Sequence, residues 1–131
     1  MLKPINTIKK FRFREFRVYK EARAVSLEIK KLVKTKFPND ELFALSNQVR
    51  RALDSIILNI AEGSDRSTDK DFALFLNRSL TSLNEVVACL DIAFDNKYID
   101  QRELEAQILK LAELGNQLTA FRKTLLVKPT K

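Results

Sequence analysis

QVRRALDSIILNIAEGSDR, residues Gln48 to Arg66, carries a packing stripe and a polar stripe side by side on one helix. At about 100° per residue, Leu45, Val49, Ala52, Leu53, Ile56 and Ile60 gather on one face. Gln48, Arg51, Ser55, Asn59, Glu62 and Arg66 fall in an adjoining arc of about 80° by the same geometry. An ordinary surface helix spreads its polar residues over the far side. Here they line the edge of the buried face, where a neighbouring helix or subunit meets them. Arg51, Ser55, Asn59 and Glu62 are successive neighbours along that edge. A hydrogen-bonded ladder from Arg51 through Ser55 to Asn59 would pair groups that burial otherwise leaves unsatisfied. It would join this helix to another helix or another subunit; direct ligand binding is the competing reading.

Upstream, Val18, Ala22, Val25, Ile29, Leu32 and Val33 recur at the spacing of one buried face, which predicts a first helix from Phe16 to Lys36. Lys30, Lys31, Lys34 and Lys36 complement the dipole at its C-terminal end. Phe37-Pro38-Asn39-Asp40 breaks the pattern, because proline disfavours helix in the residue before it. Asn39 or Asp40 then caps a second helix running to Glu62, with a kink where Ser46 offers an internal restart. Gly63 is the expected C-terminal stop.

Beyond the loop Ser64 to Ser67, Thr68 and Asp71 have capping-box spacing, with Ser67 the competing cap. They open a third helix over Asp69 to Asn96, where Phe72, Leu76, Leu80, Leu83, Val87, Leu90 and Phe94 come close to a heptad. Asp100 and Glu103 repeat the capping spacing ahead of a fourth helix. That helix carries Leu104, Ile108, Leu111, Leu114, Leu118, Phe121 and Leu125. Gly115, in its middle, costs about 1 kcal/mol relative to alanine, a cost that a close helix approach would explain. Four amphipathic helices with short connections predict an all-α, antiparallel up-down-up-down four-helix bundle over residues 13–126. A basic N-terminal arm covers 1–12 and a tail covers 127–131.

Composition narrows the chemistry. The chain of 131 residues suits one domain with a hydrophobic core. It has no histidine, which removes haem ligation by histidine, the Glu-x-x-His di-iron site, and Ser-His or Cys-His catalysis. Its one cysteine, Cys89, lies in an apolar helical run and reads as a buried small hydrophobe. No internal disulfide is possible, no apolar run reaches membrane-span length, and no signal-peptide core precedes the first basic residues. A cytoplasmic location is expected. Glu62, Asp65, Asp69 and Asp71 cluster in sequence, but acidic residues are ordinary at a helix start. No catalytic residue, metal site or cofactor is expected.

The formal net charge is +7, and it is uneven. Lys3, Lys9, Lys10, Arg12, Arg14, Arg17 and Lys20 stand against Glu15 alone in residues 1–20, whereas residues 39–96 are mildly acidic. Such asymmetry points to an anionic partner at the terminal elements. Phe11, Phe13 and Phe16 alternate with Arg12, Arg14 and Arg17, a pattern that stacks on bases and neutralises phosphates; the alternative is that Phe13 and Phe16 fold back to cap the bundle. Lys3, Lys9, Lys10, Arg12, Arg14 and Arg17 are therefore the candidate nucleic-acid contacts.

The central stretch also resembles a known family, the four-helix-bundle proteins encoded within intervening sequences of bacterial large-subunit ribosomal RNA genes. Their signature, approximately Q-x-R-R-A-x-x-S-I-x-x-N-I-A-E-G-x-x-R, is met by Gln48, Arg50, Arg51, Ala52, Ser55, Ile56, Asn59, Ile60, Ala61, Glu62, Gly63 and Arg66. Val18-Tyr19-Lys20 with Ala22, Phe37-Pro38, Phe75-Leu76, Ser82-Leu83 and Glu85 match flanking parts of the pattern. Asp65 and Thr81 stand where glycine is usual, and Arg78-Ser79 where Ile-Ala is common. The resemblance implies a homopentameric ring. It also implies similarity to the accessory variability protein of diversity-generating retroelements, a basic barrel that engages a reverse transcriptase and its RNA.

The function expected is that of a non-enzymatic oligomeric bundle binding RNA or another nucleic acid through basic terminal surfaces. Gln48, Arg50, Arg51, Ser55, Asn59, Glu62, Gly63 and Arg66 would serve assembly. The alternatives are a protein-interaction scaffold without nucleic-acid contact and, as a third, a metal-dependent phosphodiesterase using Glu62 or Asp69.

Overall fold

A computed structural model of the chain describes residues 9–127; Lys3, with the rest of 1–8, and residues 128–131 lie outside that span. Helix α1 spans Arg17–Lys36, α2 Leu45–Gly63, α3 Asp69–Asp95 and α4 Gln101–Leu126, with no strand among the described residues. Short 3-10 turns cover Arg12–Glu15 and Asn39–Glu41. No helix among the described residues is long and apolar enough to cross a membrane.

Each helix turns one apolar side inward. Val49, Leu53, Ile56 and Ile60 of α2, Leu76, Val86 and Leu90 of α3, and Leu111, Leu114 and Leu118 of α4 are all 2% exposed or less. Burying one such side chain contributes about 1.5–3 kcal/mol, so this shared interior dominates stability. α1 and α3 each pack on both α2 and α4, which closes a four-helix bundle. Because α3 packs most extensively, on both α2 and α4, its buried surface is wider than one heptad stripe. Ala73, Phe75, Ser79, Cys89 and Ala93 join it, while Leu80, Val87 and Phe94 are only partly buried. Between α1 and α4, Glu28 accepts from Gln107 Nε2 at 3.2 Å and from Lys110 Nζ. The Lys110 bond, then that of Gln107, holds the Glu28 carboxyl below its ordinary range.

The capping residues act locally. Thr68 Oγ1 accepts from Asp71 N–H at 3.1 Å. Asp100 and Glu103 form a reciprocal box, Glu103 N–H donating to Asp100 Oδ1 at 2.8 Å and Asp100 N–H to Glu103 Oε1 at 3.0 Å. Two expectations need correction. The second helix does not run from Asp40 with a kink. A 3-10 turn follows α1, Ala44 adopts φ −122° and ψ −104°, and α2 begins at Leu45. Ser46 is buried and caps nothing, because the backbone break falls at Ala44 and leaves Ser46 inside the helix. Gly115 is also not a point of close approach. A Cβ there would meet only the Leu83 methyls, at 3.8 and 3.9 Å.

Candidate nucleic-acid interface

The candidate site lies where residues 9–16 cross the turn between α2 and α3. Three phenylalanines from different segments seal this end of the core. The Phe16 ring stacks near Phe72 at 6.1 Å between centroids and meets Phe121 edge-on at 5.3 Å. Phe13 packs edge-on against Tyr19 at 4.9 Å. Phe11 is different: it is 52% exposed, at the water edge of the cluster.

Arg12 pins this segment. Its Nη2 donates to the Ser64 carbonyl at 2.6 Å, one of the carbonyls that a helix end leaves without an intrahelical partner. The guanidinium also lies 5.6 Å from the Phe16 ring and 5.7 Å from the Phe72 ring, within cation–π range. Lys9 Nζ reaches Asp65 at 3.2 Å.

The turn itself depends on Gly63. The sequence marks it as the C-terminal stop of the second helix, and α2 does end at Gly63. No glycine among the described residues has positive φ. A Cβ at Gly63 would instead stand 2.6 Å from Phe75 Cβ and 2.9 Å from Phe72 Cδ1. Glycine is needed here so that α3 can approach α2.

On the other side of the turn, Arg66 and Arg78 both lie over the Phe75 ring, at 5.1 and 4.6 Å from its centroid. The Asp71 carboxylate stands 3.9 Å from Arg66. Arg78 was not selected from sequence as a contact; its place three residues beyond Phe75 on a helix is the signal that would have found it. Between the N-terminal segment and the turn lies a cleft of about 610 Å³. Lys9, Lys10, Phe11 and Arg12 line one wall, and Glu62, Asp65 and Arg66 line the other.

The remaining predicted contacts do not all converge there. Arg17 is paired along its own helix, Nε donating to Glu21 at 2.8 Å. Arg14 is exposed and does not line the cleft. Lys3 lies outside the described residues. Among those residues, no three acidic or cysteine side chains gather as a metal site would require.

The polar stripe of α2 divides. Asn59 Nδ2 donates to the Ser55 carbonyl at 2.8 Å and to Ser55 Oγ at 3.1 Å. Ser82 Oγ, on α3, donates to Ser55 Oγ at 2.8 Å. Ser79 Oγ, fully buried, donates to the Ile56 carbonyl at 2.8 Å. The ladder therefore runs from α2 into α3 and does not continue to Arg51. Gln48, Arg51, Glu62 and Arg66 are exposed, and Arg50 is partly so. Water solvates the Arg51 guanidinium better than a seam already closed by Ser55 and Ser82 would.

A family model described as 23S rRNA-intervening sequence protein matches residues 14–120. The chain belongs to this family. As a 23S rRNA-intervening sequence protein, it carries Lys9 to Phe13, one wall of the cleft, ahead of the matched span. A solved structure from Bacteroides thetaiotaomicron VPI-5482, described as a protein with unknown function from the S23 ribosomal protein family, is similar. It shares 25% identity at a TM-score of 0.74, over 81% of this chain and 98% of its own. No curated protein matches this member of the family.

Proposed function

We propose that this protein is a non-enzymatic helical bundle that binds nucleic acid, RNA above DNA, at the end carrying the α2–α3 turn. The observation that supports this most is the cleft, where Lys9, Lys10, Arg12 and Arg66 meet beside the exposed ring of Phe11. Of these, Lys10 and Arg66 are placed to neutralise phosphates, and the aromatic supplies a face for a base. The family description, an rRNA-intervening sequence protein, is in keeping with an RNA partner. Residues 1–12 act as a basic arm on a bundle at 13–126, in the cytoplasm and without a cofactor.

The bundle is read as antiparallel and as a homopentamer. Antiparallel packing of α2 on α3 is supported by contacts whose numbers rise on one helix as they fall on the other: Ser55 with Ser82, Ile56 with Ser79, and Gly63 with Phe75. Assembly is supported by apolar side chains left at water, including Leu58 at 56% and Leu109 at 67% exposure. The exposed part of the stripe, Gln48, Arg51, Glu62 and Arg66, serves the same contacts. A reverse-transcriptase-like partner belongs to this reading through the resemblance to retroelement accessory proteins. The scaffold alternative has one observation in its favour, Phe43 standing 90% exposed between α1 and α2.

Fluorescence anisotropy with a structured RNA at about 50 and about 200 mM salt tests the reading, since phosphate contacts weaken steeply over that range. Replacing Lys3, Lys9, Lys10 and Arg14 by serine is expected to lower affinity and flatten the salt dependence by about one unit of slope per lost contact. Absence of binding at the lower salt refutes it. Light scattering on wild type and Arg51→Ala tests the ring.

A further inference from the structure

We infer that the cleft between residues 9–13 and the α2–α3 turn takes one unstacked base of single-stranded RNA, and favours cytosine over uracil. The inference rests on the nucleic-acid reading and assigns parts to its residues. A volume of about 610 Å³ lies within the range of small-molecule sites, about 300–1,000 Å³, and suits a single nucleotide. A duplex keeps its base edges paired and cannot send one into such a cleft.

The walls are not uniformly basic, and this is what separates base recognition from simple phosphate attraction. Arg12 is committed to Ser64 and the Phe16 and Phe72 rings. Lys9 and Asp65 largely offset one another at 3.2 Å. What remains is the exposed Phe11 ring, the cation Lys10, Arg66 with Asp71 at the longer distance of 3.9 Å, and the carboxylate of Glu62. Glu62 is exposed and has no ion-pair or hydrogen-bond partner among the described residues. A carboxylate repels phosphate but accepts from an amino group, and acceptance from cytosine N4 is a recognised pairing.

The orientation follows. The base enters and stacks on Phe11, its amino edge turned toward Glu62. The phosphates stay outside, against Lys10 and against Arg66 and Arg78, which lie 5.1 and 4.6 Å from the Phe75 ring centroid. Uracil carries a carbonyl oxygen where cytosine carries the amino group, so it would set lone pair against carboxylate. The two pyrimidines stack alike, and the difference between them isolates Glu62.

The test uses the full chain with labelled C-tract and U-tract RNAs of about ten nucleotides, the scale of one single-strand site, and an RNA duplex of similar length. The C-tract is expected to bind about fivefold tighter than the U-tract. Phe11→Ala is expected to weaken the C-tract about tenfold and to leave the duplex unaffected. Glu62→Ala is expected to strengthen the U-tract and abolish the difference. Both side chains are exposed, so the variants keep the fold, which circular dichroism checks. Equal binding of the two tracts, or a Phe11→Ala variant that binds the C-tract as wild type does, overturns this inference while a bound structured RNA leaves the wider reading standing. A protein that binds no RNA at low salt overturns both.

Discussion

At the start of α3 the chain arrives through Gly63, and at its end it leaves through Lys97. Gly63 has a backbone that any residue can adopt, yet a single Cβ there would collide with Phe75 and Phe72. Lys97 has φ 63°, the left-handed region where glycine is favoured. It closes α3 with two reversed bonds, its own N–H to the Phe94 carbonyl and the Tyr98 N–H to the Ala93 carbonyl, both at 2.9 Å. Glycine thus stands where space is short, and lysine stands where the angle is unusual but its side chain is free in water. The clefts beside the two turns are of similar size, about 610 and about 670 Å³, and differ in charge. At the first, Lys9, Lys10, Arg12 and Arg66 outweigh Glu62 and Asp65. At the second, Asp95, Asp100 and Glu103 outweigh Lys36 and Lys97. Two turns of one helix therefore give one end suited to an anion and one end that is not.

The largest way to break this comparison is Gly63→Ala. It should destabilise the bundle by about 2–3 kcal/mol, the cost of overpacking a filled core, read by chemical denaturation; an unchanged midpoint would mean α3 does not sit this close. Lys97→Gly should act oppositely, adding about 1 kcal/mol by removing the left-handed penalty of a side chain, and should leave the RNA affinity proposed for the first cleft unchanged. Gly115→Ala sharpens the contrast between glycines. Its Cβ fits beside Leu83, so the variant should gain about 1 kcal/mol of helix propensity, seen as a higher melting temperature. The smallest effect concerns pH. Tyr98 Oη donates to Glu41 Oε2 at 2.8 Å, and that bond chiefly pushes the phenol pKa up. A raised folded pKa gives a contribution that is complete below the unfolded value, about 10, and is lost as pH rises through the folded one. Tyrosinate absorbance should show one late-titrating phenol in wild type, absent in Tyr98→Phe and earlier in Glu41→Gln.

What was legible in the sequence was local or periodic. Thr68 and Asp100 announce the starts of α3 and α4 because a cap is made within three or four residues. The stripes of α1 and α2 read correctly because each helix buries one continuous side. The heptad of α3 misled because α3 packs more extensively than α1 does on both α2 and α4; it buries two adjoining stripes, and Ser79 and Cys89 fall in the second. The site was legible as charge and not as geometry. Arg12 stood out as one basic residue among several. Its bond to the Ser64 carbonyl spans 52 positions, a distance no local pattern covers. For the same reason Ser55 showed that a ladder was needed without showing that Ser82 would complete it.

Cys89 gives the molecule a further property. It is the only thiol in the chain, it is 1% exposed, and burial, with the Glu85 charge second, pushes its pKa up. A thiol reagent can react only when α3 comes away from its neighbours. The sulfur is therefore a built-in clock: the rate at which it is labelled counts the openings of the bundle, and a partner that holds the helices together will slow it.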